Sequence, residues 1–236
     1  MASWSPTLFR WHRWLGYAVA WQVLAWVLGG VLFAWLPFQA WVKAQAAVAK
    51  PVLNLPEGWQ TAWRQAALPA EPVLAVRSVA TAGGAAWQLQ TASGAHWLGA
   101  DGQPLPAPSP QVVASFARGL YRGTGAFMGL QRLAEVPPRW ALVRELGARR
   151  DVWLARFDDA LATRLYVDAR SGELLAARNE AWVLYDFFWR LHVMDYADGE
   201  DFNNPWLRAA SLLALGLVLA GLGMLGLALR RAWRRR

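Results

Sequence analysis

Two long stretches without an ionisable side chain bracket the sequence. Trp14 to Leu36 is uncharged over 23 positions, and Ala209 to Leu229 over 21. At ~1.5 Å per helical residue, either run crosses the roughly 30 Å of hydrocarbon in a bilayer. Ser5-Pro6 precedes the first run and Asn204-Pro205 the second. Each pair is a capping residue followed by proline at the first helical position. Two transmembrane helices are therefore predicted. The first run exceeds the ~7–15 apolar residues of a signal-peptide core, so an uncleaved anchor is expected.

Between the runs the pattern changes to short alternating segments. Gly58–Ala67 reads as a short helix. Val73–Ala80, Ala86–Thr91 and His96–Gly99 read as strands, broken at Gly83-Gly84 and Ser93-Gly94. Pro104 to Pro110 holds four prolines in seven residues and reads as a linker. A second round follows. Pro110–Tyr121 is predicted helical with Ser109 as its cap. Trp140–Glu145, Val152–Asp158, Thr163–Val167 and Glu173–Ala177 are predicted strands, with a turn at Asp168–Gly172. Each round is a helix followed by antiparallel strands. The pattern predicts an α+β fold, with a small α+β unit duplicated over residues 41–108 and 109–180. Residues 1–40 and 205–236 carry the spans. Within residues 181–204, the aromatic stretch Trp182–Tyr196 predicts a helix lying in the membrane interface, followed by an acidic loop.

Composition sharpens the membrane reading. Of 236 residues, 56% are hydrophobic, 17% are charged and 17 are tryptophan. Tryptophan favours the water–lipid boundary. Cysteine is absent, which excludes disulfides, thiolate zinc sites, iron–sulfur clusters and covalently attached c-type haem on this chain.

The net charge of +8 is concentrated at the ends, in Arg10, Arg13, Arg230, Arg231, Arg234, Arg235 and Arg236. The remaining cations nearly balance the acids, so no nucleic-acid partner is expected. By the positive-inside rule both termini are cytoplasmic. The intervening segment of about 170 residues is then non-cytoplasmic, the periplasm if the membrane is a bacterial inner membrane.

Arg10-Trp11-His12-Arg13-Trp14-Leu15-Gly16 resembles the opening of PepSY-associated transmembrane proteins. Arg164 to Leu175, with its Asp-x-x-Ser-Gly turn, resembles the end of a PepSY module, and Arg190-Leu191-His192 resembles another helix opening of that family. The resemblance implies two transmembrane helices flanking a periplasmic PepSY-like domain. Larger relatives, four-helix ferric-siderophore reductases, carry b-type haem on histidines. This chain has half that number of spans. The implied function is a haem-b protein moving electrons across the inner membrane in ferric iron or ferric-siderophore reduction. The alternative is a non-catalytic, membrane-anchored periplasmic binding or inhibitory module, or an accessory subunit of a redox complex.

Three histidines are present: His12, His96 and His192. His12, Gly16 and Ala20 recur at four-residue spacing and share a helix face. Small neighbours suit a porphyrin against the backbone, and equally suit plain helix packing. His192 has Phe188, Trp189 and Tyr196 within one helical turn, which suits a porphyrin wall or a membrane anchor. His12 and His192 are thus candidate haem ligands or structural histidines, expected about 30 Å apart across the bilayer. A homodimer could then pair each histidine with its symmetry mate, with Met224 or Met194 as weaker axial ligands. His96 reads as a surface residue. Gln22 should face a partner helix or a cofactor rather than acyl chains. The Gly216, Ala220, Gly223 stripe marks a close helix contact. Asp195, Asp198, Glu200 and Asp201 read as a solvated turn before the second span, with an oxygen-rich site for Ca²⁺ or Fe³⁺ as the alternative.

Overall fold

A computed structural model describes residues 4–234. The chain divides into two compact units, Leu36–Leu184 and the pair of terminal segments Met1–Trp35 and Tyr185–Arg236.

The terminal unit is helical. Its long helices are α1 (Trp4–Trp35) and α5 (Pro205–Trp233). Over Pro6–Trp35 and Pro205–Trp233 both are long and apolar enough to cross a membrane, and little of either apolar stretch is buried. Asn204 caps α5 as expected, accepting from the Leu207 amide at 2.9 Å, with Pro205 behind it. The expected Ser5 cap is not the start of α1, since the helix already includes Trp4. Pro6 is tolerated there because first-turn amides have no helical acceptor.

The two helices are antiparallel, and their contacts step in opposite directions: Gly16 to Leu217, Leu15 to Gly216, His12 to Gly221, Leu8 to Gly223. A methyl group on Gly223 would sit 3.0 Å from the end of the Leu8 side chain, which would have to shift to admit it, so the bare backbone favours close approach there. The glycine stripe of the second span is thereby used against the first.

Helix α4 (Glu180–Val193) completes this unit through its residues from Tyr185 onward. Phe33 meets Tyr185 and Trp189, Trp26 meets His192, and Gln22 meets Leu191. As α1 is followed downward in number, α4 is followed upward. The segment runs along α1, where the aromatic pattern predicted a helix lying flat in the interface. Amphipathic composition cannot distinguish a lipid-facing stripe from one turned toward a neighbouring helix.

In the middle unit, α2 (Trp59–Arg64) precedes the antiparallel meander β1 (Ala75–Thr81), β2 (Gly84–Gln90) and β3 (Ala95–Gly99). Trp59 and Trp63 pack on the buried Trp87, Leu89 and Leu98. Helix α3 (Pro110–Leu120) precedes a second meander in the order β4 (Ala126–Glu135), β5 (Arg150–Asp158), β6 (Arg164–Asp168), β7 (Leu174–Arg178). Ala117 and Leu120 of α3 cover Ala155, Phe157 and Leu165. The opposite face buries Val152, Leu154 and Tyr166. Burying a side chain such as Leu165 fully stabilises by about 1.5–3 kcal/mol.

One sequence expectation is overturned in this unit. Trp140–Glu145 is not a strand. It is a turn-rich segment held by one bridge between Arg139 and Val143, with Trp140 and Ala141 at positive φ. The strand lies earlier, at Ala126–Glu135. Its pairing shifts at Phe127/Gly129, with Gly129 at φ 146°, and it is an edge strand with mostly exposed positions. An irregular edge strand lacks the clean alternation that marks a half-buried one. The Pro-rich segment is extended and tied to β3, with Leu105 donating to the Trp97 carbonyl at 2.9 Å.

The turn at 168–172 is present. One oxygen of Asp168 accepts from the Arg170 and Ser171 amides and the Ser171 hydroxyl, and Gly172 takes φ +74°.

Candidate functional site

His12 sits on the seam between α1 and α5. Its Nδ1 lies 3.2 Å from the Leu217 carbonyl. A carbonyl only accepts, so Nδ1 carries a proton, and the neutral ring in this tautomer has its lone pair on Nε2. Among the described residues no hydrogen bond engages Nε2. The ring lies over Gly221, where an added Cβ would be 3.4 Å from His12 Cε1. A groove of about 560 Å³ opens beside it, lined by His12, Met224, Arg10, Arg13, Phe9 and Thr7 among others.

Gly16 also faces α5, through Leu217, whereas Ala20 is exposed. Four residues advance a helix by about 400°, so a stripe at that spacing drifts ~40° per step and leaves the contact by its third member. The three-residue face expected from spacing therefore holds only for His12 and Gly16.

His192 stands in a different setting. The rings of Trp26, Phe33 and Trp189 lie 6.0, 6.3 and 6.2 Å from its own. Its Nδ1 is buried and without a hydrogen-bond partner. Tyr196, expected beside it, is exposed. Trp26 and Phe33 lie 14 and 21 residues along α1 from His12. At ~1.5 Å per residue that is roughly 21 and 32 Å, so the two imidazoles are far apart.

The end of α4 is closed by side chains. The last carbonyls of a helix lack intrahelical partners. Gln22 Nε2 donates to Leu191 at 2.8 Å, Trp26 Nε1 to His192 at 2.8 Å, and Asn204 Nδ2 to Val193 at 2.8 Å. Met194 then leaves the helix at φ 54°, the left-handed position usual after a helix end. Gln22 thus meets a partner helix, as its place in an apolar run required. Arg190, 3% exposed, pairs with Asp186 at 2.6 Å and donates to the Ala197 carbonyl.

Asp195 gathers the acidic loop by accepting from the amides of Ala197, Asp198, Glu200 and Asp201. These bonds, led by that from Asp201, lower its pKa to about 2. Its oxygens are occupied by backbone donors, and among the described residues no group of three or more metal-ligating side chains occurs.

The middle unit contains a buried charge network that spacing did not reveal. Glu145, 2% exposed, accepts from Arg164 at 2.7 Å and from the Tyr166 hydroxyl at 2.6 Å. Arg164 also donates to Glu180, which Arg139 grips in turn. Burial, reinforced by the Glu145 charge, pushes the Tyr166 hydroxyl up, so it stays a neutral donor. Every member is paired, which suits an anchor for the 139–149 segment.

On the first meander, His96 Nε2 is 3.5 Å from Glu71, and Ser93 donates to the same carboxylate. Glu71, His96 and Arg170 line a cleft of about 440 Å³. His96 is therefore partnered at a concave surface.

No family model matches the chain, no curated protein matches it, and no solved structure matches it.

Proposed function

We propose that the chain is an inner-membrane protein that binds haem b at His12 and transfers electrons across the bilayer in ferric iron or ferric-siderophore reduction. The observation that carries this reading is the Nδ1–H bond to Leu217, which leaves Nε2 free beside an open groove. A histidine that ligates iron is commonly oriented in this way, with its second nitrogen donating to a carbonyl. Bound haem b supplies a reversible one-electron iron couple. The residues of this chain hold and orient it. Leu217 fixes the tautomer and ring plane of His12, and Gly221 gives the ring room against α5. In this topology the His12 end is cytoplasmic and the middle unit periplasmic, which the terminal arginines support.

His192 is the second ligand position in this reading. Its support is the orphaned Nδ1 within three aromatic rings, a buried polar atom that a metal or a proton donor would satisfy. Among the described residues no carbonyl orients its ring as Leu217 orients His12.

Purified full-length protein supplemented with haem should show a Soret band. His12→Ala should remove it or reduce it to the share held at His192. A wild-type protein with no Soret band after supplementation rejects the reading.

The cleft at Glu71, His96 and Arg170 favours a second reading, in which the middle unit binds a periplasmic partner and the helices serve as its anchor. Exchange of both spans for unrelated anchors separates the two. The anchored module keeps its function, and the haem protein loses it.

A further inference from the structure

We infer that the middle unit binds a phosphate monoester, free or as a lipid headgroup, in the recess lined by Arg144, Arg149 and Arg150 beside Glu135. The site is separate from His12 and does not rest on haem.

The backbone around the recess is fixed from within. Residues 140–149 belong to no helix or strand, yet Val143 and Glu145 are buried on either side of Arg144. The Glu145 carboxylate is held by Arg164 and Tyr166, and its carbonyl accepts from Arg178 Nε at 3.0 Å. Leu146 packs against the buried Val152, Leu154 and Tyr166. Arg139 and Val143 exchange backbone hydrogen bonds at 2.8 Å. The Arg149 amide donates to the Leu146 carbonyl, and Arg150 opens β5 as the register partner of Glu135 in β4. A buried ion pair is weak as a source of stability. Here it fixes the segment that carries the arginines, so a ligand is met without the ordering cost of a loose loop.

The three arginines are exposed and share one recess of about 200 Å³ with Glu135 and Ala148. Their neighbours Arg132, Arg139 and Arg164 are each paired with a carboxylate. Among the described residues, no ion pair or side-chain hydrogen bond engages Arg144, Arg149 or Arg150. Glu135 and Arg150 form no ion pair although they face each other across the two strands. The Ala148 amide, which follows Gly147 at φ 59°, is likewise without an acceptor among the described residues. Cations held together in one recess repel each other until an anion lies between them. Guanidinium forks match phosphate oxygens, each able to give two parallel bonds, and a free amide adds a further donor.

Charge and size choose among anions. Three arginines against one glutamate leave a net charge of +2 on the recess. A phosphate monoester carries about −1.5 to −2 near neutral pH and offers three acceptor oxygens, whereas a carboxylate has a single charge and two oxygens. The recess lies below the ~300 Å³ at which pockets begin to enclose whole organic ligands, so it takes the phosphate group and leaves the rest of the molecule outside.

The test uses the full chain in a neutral detergent, read by calorimetric titration. Inorganic phosphate is the soluble probe, phosphatidic acid in mixed micelles is the lipid probe, and acetate at equal ionic strength is the carboxylate control. At least one phosphate probe should bind saturably, with acetate at least about tenfold weaker. Arg144→Gln and Arg149→Gln should each weaken phosphate binding about tenfold, as expected for loss of a charge-assisted bond. Glu135→Gln should tighten it about threefold, by removing the one repelling charge. Opposite directions in these variants separate ligand recognition from a general loss of fold. The terminal arginines remain in every variant, so any attraction of phosphatidic acid to them is constant. Saturation by inorganic phosphate assigns a soluble phosphate compound, and saturation by phosphatidic acid alone assigns a lipid headgroup. No saturable binding of either probe, equal binding of acetate, or unchanged affinity in the arginine variants overturns the assignment.

Discussion

Trp26 Nε1 donates to the carbonyl of His192 at 2.8 Å, so an indole of α1 closes the end of α4. The Gln22 amide does the same one residue earlier, at Leu191. Two polar groups of the first apolar run are thus matched to two helix-end acceptors that would otherwise be unpaired.

Trp26→Phe keeps the ring and removes the donor. Leaving a buried carbonyl unpaired costs about 1–3 kcal/mol. The expected result is a lower unfolding temperature in detergent, with faster hydrogen exchange confined to residues 190–204. Gln22→Leu should act in the same direction. If neither variant changes exchange in that segment, the caps contribute nothing to its order.

The Glu145–Arg164 pair should behave as a buried ion pair. Arg164→Met leaves Glu145 charged and unpaired, a loss of about 3–5 kcal/mol. Glu145→Leu combined with Arg164→Met removes both charges and should recover most of that loss. Tyr166→Phe should cost about 1–3 kcal/mol, because Glu145 loses its second donor. Denaturant unfolding of the full chain, followed by hydrogen exchange at β5 and β6, reads these differences.

Gly221 gives His12 its place. A Cβ there would lie 3.4 Å from Cε1, so Gly221→Val should turn the ring off the Leu217 carbonyl. Haem retention should fall toward the level of His12→Ala if orientation is required, measured as Soret absorbance per protein. Gly226→Val meets open space and should leave the spectrum unchanged.

Asp195 sets a pH dependence. Its folded pKa of about 2 lies below the ordinary ~3.9 of an aspartate. A depressed carboxylate stabilises the fold above its unfolded pKa, and that contribution is lost as pH falls through the folded value. Wild type should therefore exceed Asp195→Asn in thermal stability above about pH 4, and the gap should close toward pH 2. A gap that stays constant across this range would mean that the carboxylate charge is not what holds the loop.

Some of this architecture is legible from single residues and their neighbours. Ser109 caps α3 and Asp168 closes its turn because the partners lie within four positions along the chain. The α3 helix and the β5 to β7 meander follow from short-range periodicity. β4 escapes because an exposed edge strand with a glycine bulge shows no alternation. Trp140–Glu145 misleads because its apolar residues pack around a turn.

Hydropathy and charge by themselves determined two apolar helices around a small α+β middle, with the histidines far apart along the chain. Those properties depend on runs and local spacing. Pairings between distant residues were decided only by tertiary structure: His12 with Leu217, Gln22 and Trp26 with the end of α4, Glu145 with Arg164 and Tyr166. They depend on the relative register of packed elements, and a slip of one residue in that register would exchange every partner while leaving the hydropathy pattern unchanged.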